Sequence, residues 1–86
     1  MGKEKQVNQK LKHEREARCW TLQEVADRLY ELCLQEDPNC AIIAGDTVGR
    51  WERGFNTPSA HYQRKLCILF GKDALELGFI SKSPYI

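Results

Sequence analysis

Two arginines three residues apart, Arg50 and Arg53, stand in the stretch Thr47-Val48-Gly49-Arg50-Trp51-Glu52-Arg53-Gly54 of this 86-residue chain. Val48 and Trp51 share the same spacing and mark the apolar face of a short helix. The two guanidinium groups therefore project from a different face, and Gly54 stands where such a helix stops. A guanidinium is a planar fork of N–H donors that matches the acceptors of a phosphate or of a guanine edge. The chemistry available here is recognition rather than bond making. The chain offers no Ser/His/Asp or Cys/His arrangement, no glycine-rich phosphate loop and no carboxylate pair in a plausible cleft, so the expectation is a non-enzyme that needs no cofactor.

A short basic helix must be held by others. Upstream, Thr21-Leu22-Gln23-Glu24 is a capping box opening a second helix, with Trp20 placed to staple onto Val25. Val25, Ala26, Leu29, Leu32 and Cys33 then fall on one apolar face. A first helix is expected from about Asn8 to Arg18, with Asn8 as cap and Val7, Leu11 and Arg15 recurring every fourth residue. Pro38 disfavours helix at the residue before it, so Gln35–Asn39 breaks the pattern. The apolar stretch Cys40–Gly45 is expected to lie over the core. Asp46 is read as the cap of the third helix, about residues 46–53. Thr57 is read as the cap of a fourth helix with Pro58 in its first position. Tyr62, Leu66, Leu69 and Phe70 form that helix's buried face, and Gly71 ends it. Asp73–Leu77 reads as a short fifth helix closed by Gly78. The expected fold is all-α, a compact five-helix domain over residues 8–80, between a flexible basic arm (1–7) and a tail (81–86).

Composition narrows the setting. No apolar run is long enough to cross a bilayer, and the charged start Met1-Gly2-Lys3-Glu4-Lys5 is not a secretory signal, so the chain is expected to be cytoplasmic and free of membrane. Cys19, Cys33, Cys40 and Cys67 include no C-x-x-C pair and are read as ordinary thiols, with neither a disulfide framework nor a metal site. Net charge is +1, but it is unevenly spread. Residues 1–19 hold six Lys/Arg against three Asp/Glu, residues 20–46 one against six, and residues 47–72 five against one. Basic groups thus gather at the first helix and around the arginine pair, which suits a polyanion approached from one side.

Taken together, Leu11, Arg15, Trp20-Thr21-Leu22-Gln23-Glu24-Val25-Ala26, Thr47–Gly54, Pro58, Leu66-Cys67-Ile68-Leu69-Phe70-Gly71 and Leu75-Glu76-Leu77-Gly78 resemble the phage-repressor and Cro type of helix-turn-helix. This is also called the xenobiotic-response-element (XRE) type. The resemblance implies a recognition helix over about 46–53 docked in the major groove of double-stranded DNA, as the DNA-binding module of a transcriptional regulator. By position it implies base contacts from Gly45, Asp46, Gly49 and Arg50. It implies phosphate contacts from Thr21, Leu22, Gln23, Arg53, Asn56, Thr57, His61, Tyr62 and Arg64. Arg15 and Glu52 match positions that form an internal ion pair. One such module makes few base contacts, so a homodimer or a larger parent chain is expected to complete the reader. The chain departs from the motif at Leu34–Gly45, which lengthens the usual short turn. Gly45 and Gly49 bring no side chain to a base, and Asp46 repels phosphate unless it caps the helix or accepts from a cytosine amino group. These departures keep a second reading open: a helix-turn-helix scaffold used for protein–protein interaction.

Overall fold

The computed structural model describes residues 7–80, so Lys3, Lys5 and most of the expected arm, together with the 81–86 tail, lie outside the described residues. Four helices follow in order: α1 (Gln9–Ala17), α2 (Leu22–Glu36), α3 (Gly45–Arg53) and α4 (Ala60–Phe70). No strand occurs among the described residues. The core gathers Leu11 of α1, Val25, Ala26 and Leu29 of α2, Val48 and Trp51 of α3, and Leu66 and Phe70 of α4, with Ile43 and Leu77 from the connections. Trp20, Leu22, Tyr62, Cys67, Leu69 and Phe79 pack around it. Every helix thus contributes its apolar stripe to one cluster.

Local chemistry explains most of the boundaries. Asn8 caps α1 by accepting the Leu11 N–H at 2.9 Å, and its Nδ2 donates to the Leu77 carbonyl at 2.9 Å, so the N-terminal cap also holds the C-terminal turn. The Thr21 hydroxyl accepts from the Glu24 N–H at 3.1 Å while Glu24 accepts from the Thr21 N–H at 2.8 Å, satisfying two donors that a helix start leaves unpaired. Gly54, at φ 82°, ends α3 in the left-handed conformation that favours glycine.

Four expectations are corrected. The fifth helix is absent. Asp73 and Glu76 do exchange reciprocal hydrogen bonds at 3.0 and 2.8 Å, but the cap is followed by a single turn that closes at Gly78, too little for a helix to propagate. The cap of α3 is Ala44, which makes no side-chain bond, and Asp46 already lies inside the helix. The cap of α4 is Ser59, whose hydroxyl accepts from the Tyr62 N–H, rather than Thr57. Pro58 precedes that cap, buried, with its carbonyl accepting from Gln63 Nε2 at 2.9 Å. Finally, Cys33 and Cys40 are not free thiols but a disulfide, while Cys19 and Cys67 are free. Burial pushes the Cys67 thiol above its ordinary value.

The long connection runs over residues 37–44. Within it Ile43 is 5% exposed and belongs to the core, whereas Ile42 is 80% exposed. Lys65 of α4, itself buried, pairs with Glu36 at the last residue of α2. That hydrogen bond holds the Glu36 carboxyl below the usual carboxylate range, with the nearby charges of Lys65, His61 and Arg64 acting in the same direction.

Candidate nucleic-acid interface

Helix α3 packs chiefly against α2 and is fixed from both ends. At its start, the Gly45 N–H donates to Gln23 Oε1 at 3.0 Å. A Cβ at Gly45 would lie 2.9 Å from the Gln23 nitrogen and 3.0 Å from its Cα, so glycine is what lets the two helices approach this closely. In its last turn, Glu52 receives Arg15 in a bidentate pair, Nε to Oε2 at 2.6 Å and Nη2 to Oε1 at 3.1 Å. The remaining Arg15 nitrogen, Nη1, donates to the Trp20 carbonyl at 2.9 Å, and the Asn8 N–H donates to the Glu52 carbonyl at 2.8 Å. The hydrogen bond to Glu52 pushes the Arg15 pKa up from its ordinary value, so this guanidinium stays charged and occupied.

With Val48, Trp51 and Glu52 turned inward, α3 exposes Asp46, Arg50 and Arg53. These three come together. Arg50 Nε lies 3.0 Å from Asp46 Oδ2, one helical turn away, and Arg53 Nη2 lies 3.7 Å from Asp46 Oδ1. The Arg53 guanidinium also sits 5.7 Å from the centre of the exposed Phe55 ring. The outer face of α3 is therefore two cations gathered on one carboxylate, all more than half exposed.

The other expected contact residues divide by burial. Gly45 and Gly49 are buried, which corrects their placement on the outward face: they line the contact with α2, where a Cβ on Gly49 would meet Leu22 at 3.2 Å and the end of Arg53 at 3.1 Å. Leu22 is half-buried against the core. Thr21 and Gln23 are exposed, but their polar groups already serve the fold, the hydroxyl in the capping box and the Gln23 amide between Gly45 and Asp27. Tyr62 is half-buried, its ring 5.8 Å from that of Trp51. Asn56 and Thr57 are exposed in the loop after α3, beside an open groove of about 480 Å³ whose walls include Val7, Trp51, Pro58 and Phe79. His61 and Arg64 are exposed on α4. His61 is turned toward α2, its Nε2 3.5 Å from Cys33 Sγ and its ring edge-on to Tyr62 at 5.1 Å.

Sequence reasoning missed the role of Asp46 as a clamp on both arginines, although its i, i+4 spacing to Arg50 was available as a signal. It also missed Arg18, whose guanidinium donates to the Glu14 carboxylate at 2.8 Å and the Phe70 carbonyl at 2.9 Å. No spacing rule reaches a partner 52 residues away. Among the described residues no group of three or more His, Cys, Asp or Glu is placed to hold a metal ion, and no helix is long and apolar enough to cross a membrane. Comparison of the chain with protein-family models, with curated proteins and with solved structures finds no match.

Proposed function

We propose that this chain binds double-stranded DNA, with α2 and α3 acting as a helix-turn-helix pair and the outer face of α3 entering the major groove. The observation that carries the reading is the division of α3 into a face locked by Trp51 and Glu52 and an opposite face that offers Arg50 and Arg53 to solvent. Exposed ion pairs are worth about 0–1 kcal/mol, so the hold of Asp46 on the two arginines yields to a stronger acceptor. Arg50, nearer the start of the helix, is the base reader; Arg53, Asn56, Thr57 and Arg64 supply phosphate contacts. Gly45 and Gly49 act through packing alone. Sequence-specific binding as a transcriptional regulator further requires a second copy or a parent chain.

The exposed Ile42 of the long connection and the exposed Leu34 near the end of α2 favour a second reading, a surface that docks another protein. Fluorescence anisotropy against a randomised duplex pool at two salt concentrations separates the two, because phosphate contacts make affinity fall steeply with salt. The expected result is salt-sensitive binding, with an enriched sequence losing about 1–3 kcal/mol on Arg50→Ala while the unselected pool changes little. A folded chain that fails to bind even at low salt overturns the proposal for the isolated chain and favours the protein-docking reading.

A further inference from the structure

The two sulfurs of the Cys33–Cys40 bond sit in unequal surroundings. Cys33 lies in the last full turn of α2 and is 3% exposed. After the helix stops at Asp37, a tight turn brings the chain back, with the Asn39 N–H donating to Asp37 Oδ1 at 2.9 Å and the Cys40 N–H to the Asp37 carbonyl at 3.0 Å. Cys40 thereby reaches Cys33 across a Cα–Cα distance of 6.0 Å, but stays partly open to solvent. His61 of α4 adds a third element, its Nε2 3.5 Å from Cys33 Sγ. A disulfide sulfur carries no proton, so a hydrogen bond in this contact is one the imidazole donates, from the form that is protonated at Nε2.

We propose that Cys33, Cys40 and His61 form a thiol–disulfide exchange site, opened by a low-molecular-weight thiol attacking Cys40. The incoming thiolate bonds to Cys40 Sγ, the Cys33–Cys40 bond breaks, and its electron pair stays on Cys33 Sγ, the sulfur that His61 Nε2 faces and can serve with an N–H. Stabilising the leaving thiolate accelerates this step, and solvent access selects Cys40 over Cys33 as the sulfur attacked. A second thiolate attacks the added sulfur of the mixed disulfide. This releases a small-molecule disulfide and leaves Cys40 as a thiolate, so two thiols are oxidised and the protein gains two electrons. In reverse, the Cys33 thiolate resolves the mixed disulfide and restores the crosslink. Downstream, Ile43 is held in the core and the Gly45 N–H by Gln23, so opening frees residues 37–42 and leaves the start of α3 in place. The exposed Ile42 lies within the released stretch.

The test contains no nucleic acid, so its outcome is independent of DNA binding. The oxidised full chain is exposed to reduced glutathione, quenched with an alkylating reagent at intervals and mapped by peptide mass spectrometry. The global unfolding rate is measured under the same conditions. The expected course is a glutathione adduct on Cys40 with Cys33 alkylated, formed faster than the chain unfolds. The exposed His61→Ala should slow opening about tenfold, with partial recovery in His61→Gln, whose amide also donates. An adduct on Cys33, opening at the global unfolding rate, or an unchanged rate in His61→Ala overturns the proposal. So does a chain in which Cys33 and Cys40 both stay alkylatable after treatment with oxidised glutathione.

Discussion

Helix α3 carries two carboxylates, each meeting guanidinium groups, and the two arrangements do opposite things. Glu52 and Arg15 belong to different helices, meet through two hydrogen bonds, and have side chains 6% and 14% exposed. Asp46 meets Arg50 and Arg53 of its own helix, and its side chain is 64% exposed. The attraction is the same in kind, but the surrounding dielectric decides its consequence. Around Glu52 a broken pair leaves an uncompensated charge away from water, so the pair fixes α3 against α1. Around Asp46 water replaces either partner at little cost, so the pair holds two arginines in place without committing them. One helix thus separates the charges that build the domain from the charges left at its surface.

The largest expected effect breaks the first arrangement. Glu52→Ala should destabilise the chain by about 3–5 kcal/mol, because it strands Arg15 beside the core. Small domains hold only about 5–15 kcal/mol in total, so the variant should sit close to unfolding. Urea denaturation followed by circular dichroism measures it. A loss under about 1 kcal/mol would place Glu52 among the dispensable surface charges and erase the contrast with Asp46.

A smaller effect tests how the helix is seated. Gly45→Ala drives a Cβ to within 3.0 Å of the Gln23 backbone, which cannot swing aside as a side chain can. Such overpacking costs about 1–3 kcal/mol. Gly49→Ala is the internal control, since its nearest neighbours are a leucine methyl and the flexible end of Arg53, and helix propensity returns up to about 1 kcal/mol. Thermal melts of both variants should show Gly45→Ala clearly lowered and Gly49→Ala near the parent. Equal melting temperatures would show that α2 and α3 do not depend on glycine for their close approach.

The same two glycines show where reading a sequence succeeds and where it stops. The Thr21–Glu24 box, the Asn8 cap and the stop at Gly54 were legible because each is settled within a few residues of chain. The start of α3 was not. Asp46 is the better capping residue, yet Ile43 enters the core and Gln23 takes the Gly45 N–H, and these distant contacts begin the helix at Gly45. Ser is the somewhat better cap, but the habit of proline at a first helical position pointed to Thr57 instead. Pro58 is buried just ahead of the Ser59 cap. The Asp73–Glu76 box was a true local signal attached to too little helix. Pairing among four cysteines does not follow from their positions, so the Cys33–Cys40 bond had no signature to find. For the candidate site, the spacing of Arg50 and Arg53 gave the outward face, but the burial of Gly45 and Gly49 depended on the approach of α2.

The smallest effect on stability gives the sharpest test of the second arrangement. Asp46→Asn removes one negative charge from the first turn of α3 and weakens its hold on Arg50 and Arg53. Exposed pairs and a carboxylate near a helix start together account for about 0.5–1 kcal/mol, so the fold should survive almost unchanged. If the outer face of α3 meets DNA, the variant should bind non-specific duplex more tightly, because a group that repels phosphate is gone and two guanidinium groups are released. The gain should shrink as salt rises. Weaker binding, confined to particular sequences, would give Asp46 a different task, accepting from a cytosine amino group in the groove. Unchanged affinity across all duplexes and salts would remove the outer face of α3 from the interface. The contrast between the two carboxylates would then concern stability alone.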